Sequence, residues 1–144
     1  MNKALVFCAV LLVALVAGTD ERPAACKTKT PTETSNVAAG KQTYMEYCAV
    51  CHGVDARGMG PAAAALKTPP PDLTKLSKQN GGKFPYDYVT ELVRQGKTIP
   101  SHGSTDMPIW GPVFGVRDNG NEAAVKQRIK NLCDYLATLQ EKES

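Results

Sequence analysis

Cys48-Ala49-Val50-Cys51-His52 carries the most specific chemistry in this 144-residue chain. Two thiols three positions apart lie on one helical turn, where each can add across a vinyl group of haem while the adjoining imidazole is offered to the iron; Cys-x-x-Cys-His is the pattern of covalent haem attachment. The composition of the chain would generate it by chance with a probability of only about 0.002. Two other chemistries use closely spaced cysteines. A thioredoxin-like redox pair requires a βαβ setting, which the glycine- and proline-broken sequence around Cys48 does not offer. Structural zinc requires two further ligands, and no second Cys-x-x-Cys or His-x-x-x-His follows.

An iron held by His52 has a second face, and what fills it governs the redox behaviour: a thioether favours the reduced state and raises the potential. The candidates beyond the motif are Met59, His102 and Met107. Met107 fits best, 55 residues beyond His52 in an irregular Gly/Pro-bounded loop able to cross to the opposite face, with Pro108 stiffening the backbone just after it. Met59 sits in a short glycine loop too near His52 to reach that face, and Met45 lies on the helix before the motif. His102 is the rival, and a bis-His haem would have a lower potential.

Positioning these groups requires helices. Ser35 can cap a helix on which Val37, Gly40, Tyr44 and Tyr47 or Cys48 recur at helical spacing, delivering the motif at its C-terminal end. Residues 53–72 contain Gly53, Gly58, Gly60, Pro61 and the run Pro69-Pro70-Pro71, and are expected to form loops along one side of the site. Asp72 then caps a short helix through Lys75 to Gln79. Tyr88, Val89, Leu92 and Val93 give one apolar helix face, with Pro85 suited to the first turn and Gly96 to the end. A loop from Lys97 to Pro112, holding His102, Met107 and Trp110, precedes a final helix marked by Val125, Ile129, Leu132, Leu136 and Leu139. No segment alternates as a strand, so the expected class is all-α.

The N-terminus places Lys3 before an apolar run from Ala4 to Ala17, too short for a stop-transfer helix and suited to the h-region of a secretory signal. Val16-Ala17-Gly18 offers small residues for cleavage, making residues 1–18 a signal peptide and 19–34 a flexible leader rich in Lys, Thr and Pro before one domain at 35–144. A retained anchor, or lipidation at Cys26, are the alternatives. An exported compartment permits a Cys26–Cys133 disulfide, and two unpaired thiols are the other reading. Loss of Lys3 leaves a balance of +2, too weak a field to imply nucleic acid.

Jointly these residues resemble the class I c-type cytochromes, monohaem electron carriers of the bacterial periplasm and related oxidase domains, over roughly Val37 to Leu139. Gly40-Lys41-Gln42-Thr43-Tyr44 matches the family's small-then-aromatic spacing on its first helix. Gly58-Met59-Gly60-Pro61 is similar to the family's Gly-Pro loop, which implies that the Pro61 carbonyl accepts the proton on the outer nitrogen of His52. Met107-Pro108-Ile109-Trp110-Gly111 looks like the family's axial-Met loop in its Met-Pro-x-Trp variant. Leu132-Cys133-Asp134-Tyr135-Leu136 looks like its last helix, with Leu132 and Tyr135 crossing Gly40 and Tyr44. Trp110 then packs on haem, donates its indole N–H to a propionate, or packs in the core. Pro69-Pro70-Pro71, Cys26 and Cys133 depart from the family pattern.

The resemblance implies a cytochrome c fold, helices and loops wrapped around one covalently bound haem c, with Cys48 and Cys51 as attachment points and His52 and Met107 as axial ligands. It implies a monomeric carrier in the periplasm that passes one electron at a time between redox proteins, with no catalytic residues. Partners, among them a membrane-bound oxidase or dehydrogenase, would dock transiently on lysines such as Lys67, Lys75 and Lys97. Two other classes stay open: a haem enzyme or gas sensor with Met107 displaced or unbound, for which His102 and Arg117 are the spare distal groups, and a haem subunit of a larger respiratory complex.

Overall fold

The computed structural model describes residues 31–96 and 107–142. The expectations for the signal peptide, Cys26, Lys97 and His102 lie outside the described residues. Within them the chain forms helices α1 (Pro31–Tyr47), α2 (Ala49–His52), α3 (Leu76–Gln79), α4 (Tyr86–Gln95), α5 (Trp110–Arg117) and α6 (Glu122–Thr138), with short 3-10 turns at Ala63–Ala65 and Leu73–Lys75. No strand occurs among the described residues, in agreement with the all-α expectation.

The first and last helices make the principal crossing. Along α1 the buried residues Gly40, Thr43 and Tyr44 and the half-buried Val37 and Tyr47 face inward, while α6 contributes Val125, Ile129, Leu132, Cys133, Tyr135 and Leu136. Gly40 is required there: a Cβ at this position would lie 1.9 Å from the carbonyl oxygen of Asn131 and 3.0 Å from Tyr135 Cβ. The rings of Tyr44 and Tyr135 meet beside it at 5.5 Å between centroids. Each large side chain buried in this way contributes roughly 1.5–3 kcal/mol. Asn121 caps α6, its Oδ1 accepting from the amides of Ala123 and Ala124, both at 3.1 Å.

Two expectations about boundaries are corrected. The first helix begins at Pro31, so Ser35 lies within it and the leader's last four residues are helical. A proline costs nothing at a first helical position, where the amide has no partner, and Glu33 suits the positive end of the helix dipole. Residues 110–112, assigned to a loop, open α5. Pro112 is its third residue and again needs no amide partner. Gly111 lets α5 approach α4, since a Cβ there would stand 2.2 Å from the Arg94 carbonyl oxygen. The expected stop at Gly96 is present, with φ +60° and its amide donating to Leu92 O at 2.9 Å.

Candidate functional site

The motif occupies a turn of its own. Helix α1 ends at Tyr47, Cys48 bends the chain, and α2 carries Ala49 to His52. Continuity is kept because the Cys48 amide donates to Tyr44 O at 2.8 Å, while the Cys48 carbonyl accepts from the amides of Cys51 (3.1 Å) and His52 (2.9 Å). Both cysteines and the histidine therefore share one tight turn, delivered at the C-terminal end of the first helix as expected.

A helix this short leaves its last carbonyls without partners inside it. The following glycine-rich segment supplies them: Ala62 N donates to Val50 O (2.9 Å), Gly60 N to Cys51 O (3.0 Å) and Gly58 N to His52 O (2.8 Å). Contact this close excludes side chains. A Cβ on Gly60 would stand 2.4 Å from Val50 O, and one on Gly58, whose φ is +82°, would stand 2.2 Å from Pro70 O. The motif turn, the glycine segment and the proline run are thus stacked as three layers of backbone.

His52 is buried, 8% exposed, with Nδ1 3.4 Å from the carbonyl oxygen of Pro71. A carbonyl can only accept, so Nδ1 carries the proton and Nε2 holds the free lone pair. Burial lowers the pKa of His52, with the Pro71 bond opposing, and the ring is neutral, as a metal ligand must be. The carbonyl at the ring nitrogen is therefore that of Pro71, and the expectation for Pro61 is corrected. Exposed Pro61 instead sits between Gly60 and Ala62, whose amides grip the motif turn.

Cys48 and Cys51 are free, half-buried thiols, and burial, with Cys51 adding to it, pushes the Cys48 thiol up to about 12. The donor set fits haem c: two unbridged thiols and a neutral imidazole with one nitrogen already engaged. It fits the alternatives poorly. Among the described residues no strand provides a βαβ unit, and no group of three or more His, Cys, Asp or Glu gathers to hold a metal ion.

Of the methionines described, Met107 is half-buried and packs against the hydrophobic core, whereas Met59 is 83% exposed and Met45 is 44% exposed. Trp110 packs in an aromatic trio, edge-on to Tyr47 at 5.3 Å and stacked near Phe114 at 6.0 Å. Arg117, weighed as a distal group, donates to Glu46 (2.8 Å) and to the Tyr47 hydroxyl (2.7 Å). Lys75, weighed as a docking lysine, pairs with Asp72 at 3.2 Å. Cys133 is fully buried, with Sγ 3.6 Å from the Thr90 hydroxyl.

Two contributors went unnoticed in the sequence. Tyr44, read as helix packing, donates its hydroxyl to Gly53 O at 2.6 Å directly behind the motif. Pro71 belongs to a run that departed from the family pattern, and a rigid proline carbonyl was the one available signal. Among comparisons with known proteins, a family model described as cytochrome c matches residues 37–140. No curated protein and no solved structure matched the chain.

Proposed function

The chain belongs to the cytochrome c family, whose members bind covalently attached haem, and we propose that it is a monohaem one-electron carrier with His52 and Met107 as axial ligands. Bound haem supplies an iron that exchanges one electron between its ferric and ferrous states. The residues of this chain do the rest. Cys48 and Cys51 tether the group, His52 presents Nε2 to it, and the Pro71 carbonyl keeps the imidazole in one tautomer and orientation.

The observation that carries the reading is the motif turn itself, with its carbonyls satisfied by the glycine segment and a buried, neutral His52 at its end. Met107 is supported as the second ligand by its packing against the core, while Met59 is largely in solvent and Met45, on the helix before the motif, is exposed. If His52 and Met107 both held the iron, no open position would remain for oxygen or peroxide, which supports electron transfer over transformation of a substrate. Docking is weak and transient with redox proteins, and the protein works after export to the periplasm, its N-terminal apolar run serving as the signal. Among the described residues no helix is long and apolar enough to cross a membrane.

The test is an absorption spectrum of the matured protein, oxidised and reduced. A weak long-wavelength charge-transfer band in the ferric form, lost in Met107→Ala, supports His/Met ligation. Its absence, with carbon monoxide bound by the ferrous form, would instead indicate an open sixth position; absence without carbon monoxide binding would indicate His102. Co-purification in a stable complex would favour a respiratory subunit over a free carrier.

A further inference from the structure

Three consecutive prolines, Pro69 to Pro71, have no backbone N–H, so this run cannot anchor itself by donating a hydrogen bond. The carbonyl that meets His52 must be held in place by what flanks it. Gly58 lies close against Pro70, and Leu73 N donates to Ala56 O at 2.8 Å. The segment that follows the run is held a second time, from the far end of the chain. Beyond α6, Gln140 reaches back with its whole amide: Nε2 donates to Leu73 O and to Leu136 O, both at 2.9 Å, and Oε1 accepts from Ser77 N at 2.8 Å. Glu141 N donates to Thr74 O at 2.9 Å, and the Glu141 carboxylate pairs with Arg57 at 3.2 Å.

We propose that Gln140 is a positioning residue for the haem ligand: by clamping residues 73–77 to the end of α6 it fixes the Pro71 carbonyl against His52 Nδ1 and so sets the electron-donating strength of the ring. This rests on the haem-carrier reading above. A hydrogen bond accepted from the outer ring nitrogen makes a ligating imidazole more basic, which favours the ferric state. Slackening the clamp lengthens that bond and moves the reduction potential upward. Arg57 and Glu141 add to the clamp at the surface, where an exposed ion pair contributes less than the half-buried amide of Gln140.

The experiment compares the full-length, haem-loaded protein with Gln140→Leu, which keeps the bulk of the side chain and removes all three hydrogen bonds. Lys130→Gln is the control, breaking an exposed α6 pair with Asp134 that has no part in the clamp. The potential and, by NMR on the ferrous form, the exchange rate of the His52 ring proton are measured. Gln140→Leu is expected to raise the potential and to speed that exchange by about tenfold, the size of one lost hydrogen bond; Lys130→Gln changes neither. If Gln140→Leu does not mature, Gln140→Asn, too short to span the gap, is read in the same way. An unchanged potential and unchanged ring-proton exchange, in a wild-type protein that shows the His/Met band, overturns the clamp alone. A wild-type protein without covalently bound haem overturns the carrier reading and the clamp together.

Discussion

The hydroxyl of Tyr44 donates to the carbonyl oxygen of Gly53 at 2.6 Å, a buried bond that ties the helix before the Cys-x-x-Cys-His turn to the residue just after it. Burial raises the pKa of this hydroxyl above its ordinary value, so it stays protonated and acts as the donor. Tyr44→Phe retains the ring contact with Tyr135 and removes only this bond. The expected loss is about 1 kcal/mol, measured by denaturant unfolding. A variant as stable as the parent would mean that Ala56 N, which also donates to Gly53 O, holds the turn by itself.

Two glycines on helices should respond with opposite sign to the same substitution. Gly40→Ala drives a methyl group into the Asn131 carbonyl, and overpacking of this kind costs about 1–3 kcal/mol or more. Gly115→Ala on α5 meets nothing within 4 Å and gains helix propensity, so it should stabilise by roughly 0.4–1 kcal/mol. Paired unfolding curves decide the matter, and a neutral Gly40→Ala would contradict the close crossing of α1 and α6.

Acid sensitivity should trace to Asp118 and Asp72. The hydrogen bonds from Arg128 hold Asp118 below the usual carboxylate range against the opposing effect of burial. Burial pushes Asp72 up, but hydrogen bonds from Thr74 and then Lys75 more than reverse it. A carboxylate depressed in the folded state binds its proton first in the unfolded chain. The stabilisation is therefore complete above the unfolded value of about 3.9 and is lost as pH falls through the folded value. Asp118→Asn should cost about 1–3 kcal/mol at neutral pH and flatten the acid limb of a stability profile taken from pH 7 downward. An acid limb as steep as the parent's would remove Asp118 from the account.

Covalent attachment should reside in Cys48 and Cys51 together. In the double variant Cys48→Ser/Cys51→Ser, haem should extract into acidified organic solvent, whereas from the parent protein it should remain with the polypeptide. Retention in the double variant would point to another attachment residue. Cys133, fully buried beside Thr90, should leave attachment unchanged when replaced by Ala.

Much of this arrangement was legible because it depends on local rules. The α6 stripe, the Gly96 stop and the Asp72 cap follow from periodicity and residue type, whereas the fit of Gly40 beneath the last helix is a long-range contact that the resemblance to the family implies. Helix α5 was obscured by Gly111, Pro112 and Gly115, which read as breakers until Pro112 falls at a position where its missing amide has no role. Pro61 follows only from the resemblance to the family's Gly-Pro loop, yet the glycine segment doubles back on the motif turn and the proline run meets His52. Gln140 offered no signal. A single polar residue after a helix looks like any other until the chain it reaches for has been placed.

The seat that Gly40 provides for Asn131 and Tyr135 also has a temporal meaning. The first helix is made early, yet its partner surface lies on the last one, so the chain cannot close its core stepwise from the N-terminus as it emerges. The contact joins residues about ninety positions apart, and a loop of that length has to close before it forms, which slows folding relative to a helical protein built from local contacts alone. Until α6 forms, the inward face of α1 lacks the partner surface that Asn131 and Tyr135 supply, so the helix made first is among the last to gain its packing.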